Sequence, residues 1–255
     1  MGSLEPNFIK NRYTTKNIVY FVGGNINVEK DLEKLNIFSS RLILEQNPPG
    51  LEAMNSQQVK GQNINIFKND SKDITVAVGF CTVPQGHKVK EVLELISTFL
   101  GGGMSSKLRQ EVMEPGYTYS IEAITENLSD TGYLVIHFTT GKNLLKRVLN
   151  IIYSAIFSLT QKPLSIRELD LTKGFCIGQL KINTETAQDW AFYYSNQSVH
   201  TPSRIVTLEE KVNRINKINP DTILKVSKEY FRKENFYLAV IGDIGEKDVI
   251  GFGEK

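Results

Sequence analysis

The residues best suited to chemistry in this sequence lie in a glycine-rich loop. The stretch FLGGGMSSKL holds three consecutive glycines, Gly101, Gly102 and Gly103, followed by two serines and a lysine. These residue types can cradle phosphate groups, but a phosphate-binding loop needs the spacing Gly-x-x-x-x-Gly-Lys-Ser/Thr and follows a strand. Here the spacing differs and a predicted helix comes first. The pattern therefore disfavours a nucleotide-binding or small-molecule domain built on this loop.

Metal chemistry has no local basis in the sequence. The three histidines, His87, His137 and His200, lie far apart, and none is part of a His-x-x-His, His-x-x-Glu-His or His-Glu-x-x-His pattern. Such spacings place two ligands on one face of a helix. Cys81 and Cys176 are also distant from each other, which disfavours a disulfide framework or a cysteine-rich zinc site. The sequence predicts no metal site in this chain.

Composition excludes several classes of partner. The chain has 255 residues, of which 40% are hydrophobic and 23% charged, and its net charge is +2. Basic residues form no cluster, and no apolar run reaches the roughly 18 residues that span a bilayer. We therefore expect neither a nucleic-acid nor a membrane partner. A soluble, cytoplasmic protein is expected, although the sequence does not fix the compartment.

Hydrophobic periodicity predicts the elements that position the glycine loop. Apolar residues at helical spacing in KVKEVLELISTFL predict a helix directly before it. Gly101 is expected to end that helix in the left-handed conformation, which explains one glycine and not three. Alternating or apolar runs predict six strands, in NIVYFVGGNI, NINIF, ITVAVGF, TYSIEAITEN, GYLVIHFTT and NFYLAVIGDI. The turns KNDSKD and LSDT indicate hairpins.

The remaining helices complete the expected fold. NLLKRVLNIIYSAIFSLT predicts an amphipathic helix, and a long helical region runs from about Ser165 to Gln197 with soft interruptions at Gly174 and Gly178. Two more helices follow, the second starting at Asn219-Pro220-Asp221. Strands paired by hairpins, followed by a block of helices, predict an α+β fold with an antiparallel sheet packed against helices.

A weak internal repeat bears on the domain organisation. Residues 17–29 and 235–247, which are 218 residues apart, share four identical positions without gaps. Chance similarity between apolar strands that end in glycine is one explanation, and a duplicated lobe is the other. Under duplication, residues 1–50 are the tail of a preceding lobe, a strand plus a helix and a linker within Glu45–Gln62. Residues 51–255 are then a second lobe.

Several motifs together resemble a known family. LGGGMSSKLRQEVMEPGYTYSI, followed by SDTGYLVIHFTT, is similar to the second lobe of the pitrilysin/insulinase family of zinc metallopeptidases. The branch that it resembles comprises the mitochondrial processing peptidases and their short bacterial relatives. FIKNRYTTKNIVYFVGGNI looks like the end of that family's first lobe, and YFRKENFYLAVIGDI looks like the end of its second. The resemblance covers nearly the whole chain and supports the duplicated lobe.

This resemblance implies a fold and a role. Two α+β lobes of such a peptidase enclose a chamber in which an extended peptide binds as an added strand. The first lobe carries zinc on a His-x-x-Glu-His motif, and the second binds none. The chain would therefore need an upstream zinc-binding lobe, in the same or a separate chain, and would be inactive alone. Its expected substrate is an extended peptide.

Site residues follow from the same resemblance. Tyr119 falls on the family's tyrosine, whose hydroxyl contacts the substrate and a developing oxyanion. The glycines 101–103 match a substrate-binding loop beside the chamber. Met113 falls on the family's arginine, after a segment one residue shorter, so that charge-assisted contact is lost. Arg109 and Lys107 lie nearby, at least one helical turn away, and packing within a strand is the alternative role for Tyr119.

Two functions remain open at this stage. The first is the non-metal lobe of a zinc peptidase, which helps to enclose and position peptide for hydrolysis. The second is a lobe of a degenerate, non-catalytic family member that acts as a scaffold or assembly partner, which Met113 favours. A homodimer is a further hypothesis, because a strand formed by IVYFV would have an unpaired edge.

Overall fold

The computed structural model describes residues 12–40, 63–201 and 204–249. The chain divides into two compact units, and each is described by itself. One comprises Met1–Met54 and Lys181–Val206, and the other comprises Asn55–Leu180 and Thr207–Lys255. The predicted linker and the boundary between residues 50 and 51 lie outside the described residues. That division of the chain therefore stays a prediction.

Helices account for most of the described residues outside the sheet. Their bounds are α1 (Val28–Ser39), α2 (Lys90–Gly101), α3 (Leu145–Gln161), α4 (Ile166–Ile182), α5 (Ala187–His200), α6 (Leu208–Lys217) and α7 (Pro220–Tyr230), with a π-helical turn at Arg109–Met113 and single 3-10 turns at Lys233–Asn235 and Glu246–Asp248. α7 begins where predicted, because the Asn219 side chain accepts a hydrogen bond from the backbone N–H of Thr222 and Pro220 occupies the first helical position.

A five-stranded sheet forms the centre of the larger unit. Its strands are β1 (Asn63–Lys68), β2 (Asp73–Thr82), β3 (Ser120–Asn127), β4 (Gly132–Gly141) and β5 (Phe236–Gly242). They lie in the order β1-β5-β2-β4-β3. Three pairs are antiparallel, whereas β1 and β5 run parallel. The sheet packs one face against helices, which confirms the predicted α+β fold, and β3–β4 is the hairpin expected around LSDT.

The hairpin predicted for β1 and β2 is wrong. β5, from the far end of the chain, lies between them and pairs with both. The connecting residues bridge the end of β5, since Asn69 N–H donates to the carbonyl of Gly242 at 3.2 Å and Asp243 N–H donates to that of Ser71 at 3.3 Å. A local turn signal cannot reveal a strand that inserts from more than 150 residues away.

The buried face of the sheet and the helices share one core. Alternate residues of β2, including Ile74, Val76 and Val78, have 0% exposure, as do Ile96 of α2 and Ile152 of α3. The ring of Phe80 completes the β2 row and lies edge-on to the rings of Phe231 and Phe236, at centroid distances of 5.1 and 5.7 Å. These contacts bring the C-terminal helix and strand onto the centre of the sheet.

The strand predicted in NIVYFV is also wrong. Residues 18–23 form no strand, and Val19 and Val22 are 59% and 48% exposed. An apolar run becomes a strand only where a neighbouring strand satisfies its backbone groups, and no strand does so within the described residues. The helix predicted after it is confirmed as α1, and Tyr20 lies edge-on to Phe38 of α1 at 6.0 Å. The homodimer stays a prediction.

The long C-terminal helical region breaks elsewhere than predicted. The helix passes through Gly174 and Gly178 and ends at Ile182. α5 then begins after Thr186, whose side chain accepts a hydrogen bond from the N–H of Asp189 while Asp189 bonds back to Thr186. This reciprocal capping box fixes the start of a new helix at Thr186. The two glycines only lower helix propensity, so they do not interrupt α4.

Ion pairs tie α6 to α2. The Nζ of Lys211 lies 3.0 Å from Glu94, and the Nζ of Lys90 lies 3.4 Å from the same carboxylate. Arg214 pairs with Glu91 at 3.2 Å. Burial raises the pKa of Glu94, but the charges of Lys211 and Lys90 and their hydrogen bonds outweigh it and hold the pKa below its ordinary value.

We predict that Glu94→Gln lowers the free energy of unfolding by about 2 kcal/mol at pH 7, because it removes charge-assisted bonds to two lysines. A carboxylate with a lowered folded pKa stabilises the fold above its unfolded pKa of about 4.3 and loses this effect as the pH falls through the folded value. The difference between the two proteins should therefore shrink below about pH 4. Urea unfolding from pH 7 to pH 3 measures it.

The exposed Glu234 provides the control, because Glu234→Gln should change stability by less than about 0.5 kcal/mol at any of these pH values. A pH-independent loss at Glu94 would show that packing, and not charge, accounts for the effect.

Candidate functional site

The glycine loop connects α2 to a short second helix. α2 ends at Gly101, and none of the glycines 101–103 has a positive φ. The expected left-handed end at Gly101 is therefore wrong. Gly102 has a φ of −81° and donates its N–H to the carbonyl of Thr98 at 3.0 Å. A Cβ on Gly102 would lie only 2.7 Å from the Cα of Thr98, so space and not φ requires glycine here.

Gly101 and Gly103 lie close against other elements, Gly101 on immobile backbone and Gly103 on the end of a partly exposed side chain. A Cβ on Gly101 would lie 2.5 Å from the backbone nitrogen of Ala123 in β3, and 2.9 Å from its Cβ. A Cβ on Gly103 would lie 2.9 Å from the ring of Phe175 in α4. Each contact is shorter than real Cβ atoms show. The three glycines thus let the loop lie directly on its own helix, on a strand and on a neighbouring helix.

We predict that Gly101→Ala destabilises the fold by about 1–3 kcal/mol, although alanine favours helices, because the backbone of β3 cannot move away. The control is Gly178→Ala in α4, where nothing lies within 4 Å of the new Cβ. That variant should gain about 0.5–1 kcal/mol from helix propensity alone. Thermal or urea unfolding compares them, and equal effects at both positions would contradict this account of the loop.

The helix after the loop contains a π-helical turn. Two α-helical residues at Lys107 and Leu108 are followed by the turn Arg109–Met113, and Glu114 N–H donates to the carbonyl of Arg109 at 2.9 Å. Turns of this kind are rare and occur frequently at functional sites. Periodicity gives no signal for one, so the sequence did not indicate it.

The helix ends in a Schellman motif. Gly116 has a φ of +76°, its N–H donates to the carbonyl of Met113 at 2.9 Å, and Tyr117 N–H donates to that of Val112 at 2.9 Å. The guanidinium of Arg147 in α3 lies 4.0 Å from the centre of the Tyr117 ring. These contacts hold the turn that leads into β3.

We predict that Gly116→Ala costs about 1–2 kcal/mol of stability, because a side chain strains the left-handed conformation. Gly116→Asn should cost less, since asparagine tolerates this conformation. Nothing lies within 4 Å of a Cβ at this position, so steric contact does not contribute. Equal losses for Ala and Asn in urea unfolding would show that backbone conformation is not the cause.

Tyr119 directly precedes β3, the strand at one edge of the sheet. Its N–H donates to the carbonyl of Thr139 at 2.9 Å, which fixes its backbone. Its side chain is 68% exposed and makes no hydrogen bond within the described part of the chain. The backbone bond positions the Cα of Tyr119, and the exposed phenol leaves its hydroxyl accessible.

Met113 and Arg109 lie four residues apart, near the same face of the short helix. Met113 is half-buried and packs against the core. The Nη1 of Arg109 contacts the sulfur of the exposed Met104, while its Nε is buried and has no partner among the described residues. A thioether is a weak acceptor, so most of the hydrogen-bonding capacity of this guanidinium is unused.

Other chemistry finds no support in the described residues. Among them, no group of three or more His, Cys, Asp and Glu side chains could hold a metal ion. Burial raises the pKa of the Cys176 thiol to about 11, so it remains protonated and a poor nucleophile at neutral pH. None of the helices in the described ranges is long and apolar enough to cross a membrane.

Comparison with protein families identifies the chain. A family model described as the peptidase M16 inactive domain matches residues 7–174. The chain therefore belongs to the family of M16 inactive domains, which confirms the resemblance to metallopeptidases of the insulinase type.

Named relatives are zinc proteases. The chain is 26% identical over 246 residues to the uncharacterized zinc protease YmxG of Bacillus subtilis, covering 93% of this chain and 57% of that protein. It is 26% identical over 252 residues to an uncharacterized zinc protease of Rickettsia felis, covering 96% and 57%. A probable mitochondrial-processing peptidase subunit beta of Arabidopsis thaliana is 22% identical over 251 residues, with 93% and 46% covered. The chain thus spans about half the length of these relatives.

Solved structures share the fold. The peptidase M16 inactive domain from Pseudomonas fluorescens matches with a TM-score of 0.83 and 15% identity, over 94% of this chain and 57% of that one. A protease from Helicobacter pylori matches with a TM-score of 0.76 and 19% identity, over 86% and 54%. The predicted roles of Tyr119, Met113 and the three glycines are not tested by these similarities and stay predictions.

Proposed function

We propose that this chain is the non-metal lobe of a two-lobe zinc peptidase and that it helps to enclose and position an extended peptide for hydrolysis by the other lobe. The proposal is supported by the family, by relatives of about twice the length that are named zinc proteases, and by the lack of a metal-ligand group among the described residues. Residues 51–255 would form this lobe and residues 1–50 the end of the preceding one.

The observation that carries the proposal is the exposed phenol of Tyr119, directly before the edge strand β3. The backbone of Tyr119 is anchored by its bond to Thr139, and its hydroxyl, which has no partner among the described residues, can donate to a peptide carbonyl or to a developing oxyanion.

The position of β3 supports peptide binding in an extended form. Among the described strands, β3 pairs with β4 on one side only. Backbone groups on the other edge of such a strand can pair with an added strand, which gives affinity without requiring a particular sequence. At Gly101 the end of α2 packs directly on Ala123 and Glu122 of this strand, so the start of the glycine loop is packed against the edge strand.

Arg109 provides a second candidate contact. Met113 lacks a charge, but the unused donors of Arg109 lie one turn earlier on the same helix. An arginine whose Nη1 meets only a thioether gains charge-assisted hydrogen bonds when a peptide carbonyl or carboxylate approaches its terminal nitrogens. We propose that Arg109 holds the substrate backbone near Tyr119.

The half-buried Met113 favours one alternative. If Arg109 does not replace the missing arginine, the lobe belongs to a non-catalytic member of the family that binds or assembles without cutting. Both functions use the same surface, and cleavage distinguishes them.

We predict that the whole two-lobe protein cleaves a long flexible peptide in the presence of zinc, and that this chain alone does not. Tyr119→Phe should lower kcat/KM at least about tenfold, which is about 1.4 kcal/mol of transition-state stabilisation. Arg109→Gln should mainly raise KM, whereas Arg109→Lys, which keeps the charge, should recover part of the affinity. Steady-state cleavage of a fluorogenic peptide measures all three variants.

Tyr13→Phe is the matched control, since Tyr13 is 56% exposed and lies outside the candidate site. It should leave kcat and KM unchanged. Peptide binding without cleavage would establish the scaffold function. A whole protein that neither binds nor cuts peptides would overturn the proposal.

A further inference from the structure

A cavity lies on the helical side of the glycine loop. Its volume is about 410 Å³, and its walls are the end of α2, the loop, the short helix that follows and α4. Small-molecule sites typically measure about 300–1,000 Å³, so it can hold a ligand. Gly103 forms part of the wall and lies against the ring of Phe175. The cavity and the glycine loop therefore share a boundary.

One side of this cavity is apolar. Its wall includes Phe99, Leu171 and Phe175. Leu171 and Phe175 are 66% and 38% exposed, so the wall continues outward as open apolar surface. Apolar side chains around a concave site favour a ligand with a hydrocarbon or aromatic part, because its burial removes further apolar surface from water.

The charged groups of the cavity differ in whether they already form hydrogen bonds or ion pairs. Glu111 is paired with Lys107 at 2.7 Å, and Glu168 accepts hydrogen bonds from the N–H and hydroxyl of Ser165 at 2.9 and 2.6 Å. Arg167, in contrast, has neither a hydrogen bond nor an ion pair within the described residues. Lys107 neutralises Glu111, whereas Glu168 keeps its charge, which Arg167 balances while its guanidinium stays available to an anionic group.

Two further groups point the same way. An adjoining cavity of about 320 Å³ shares Phe99 and Lys107 and adds Lys162, whose charge acts on Glu168 without a close ion pair in the described ranges. The hydroxyl of Ser106, in the wall of the first cavity, is buried and has no hydrogen-bond partner there. A buried hydroxyl without a partner is unfavourable, and rotation of this side chain toward the cavity would let a ligand oxygen satisfy it.

From these observations we infer that the cavity binds an apolar group that carries a carboxylate. The carboxylate would pair with Arg167 and Lys162, and the apolar part would pack against Phe99 and Phe175. Two sources present this chemistry, a fatty-acid-like alkanoate and the C-terminal carboxylate of a peptide that ends in an apolar residue. The site is separate from Tyr119 and does not depend on the proposed peptidase role.

An NMR titration of the complete 255-residue chain tests the inference. The probes are octanoate, N-acetyl-alanyl-phenylalanine and the neutral amide of each. At least one carboxylate should shift the backbone amides of Gly103, Ser106 and Phe175 in a saturable manner, and its amide should bind at least about tenfold more weakly. Octanoate alone would indicate a lipid-like ligand, and the dipeptide alone would indicate a peptide C-terminus.

Paired variants separate the site from general charge. The double variant Arg167→Gln with Lys162→Gln should weaken binding of the carboxylate at least about tenfold. The control pair Lys225→Gln with Arg232→Gln removes two exposed cations elsewhere and should leave binding unchanged. The inference is overturned if no probe gives saturable shifts up to about 20 mM, if acid and amide bind equally, or if the double variant binds like the unchanged chain.

Discussion

The close approach of α2 to β3 is the contact on which the candidate site depends. Gly101 brings the end of the helix so near to Ala123 that no side chain fits between them. Because interiors are closely packed, the position of the helix end is fixed by the strand to a fraction of an ångström. The loop leaves the helix at this point, and Tyr119 leads into the same strand. This contact therefore fixes the end of α2 against the strand that directly follows Tyr119.

The insertion of β5 gives the sheet its stability at the opposite side. β5 pairs with β1 and β2, and Phe236 at its start packs against Phe80 in the centre of the core. Residues from both ends of the larger unit must therefore meet before the sheet is complete. The candidate site lies at the other edge, in a hairpin and helix that are close in sequence. Contacts between residues close in sequence thus set the geometry of the site, whereas contacts between distant residues stabilise the sheet on which it lies.

Local patterns in the sequence predicted most helices and strands correctly. They failed where contacts with distant residues determine the structure. Periodicity located α2, α3 and the β3–β4 hairpin, because their apolar faces repeat within a few residues. It could not place β5 between β1 and β2, nor show that residues 18–23 pair with no strand among the residues that the structure describes. The glycines 101–103 were recognised as unusual, but their reason is contact with Thr98, Ala123 and Phe175, which only the folded chain brings together. The π-helical turn and the unused donors of Arg109 have no sequence signal at all.

The short helix after the loop presents different residues to two surroundings. Lys107, Gln110 and Glu111 line the cavity on the helical side, whereas Arg109 contacts Met104 and Met113 packs on the core. Since Gly103 and Ser106 link this helix to the cavity wall, a ligand there and a peptide at Tyr119 would act on one rigid element. Any coupling between them would require that this element has two arrangements which each ligand binds unequally.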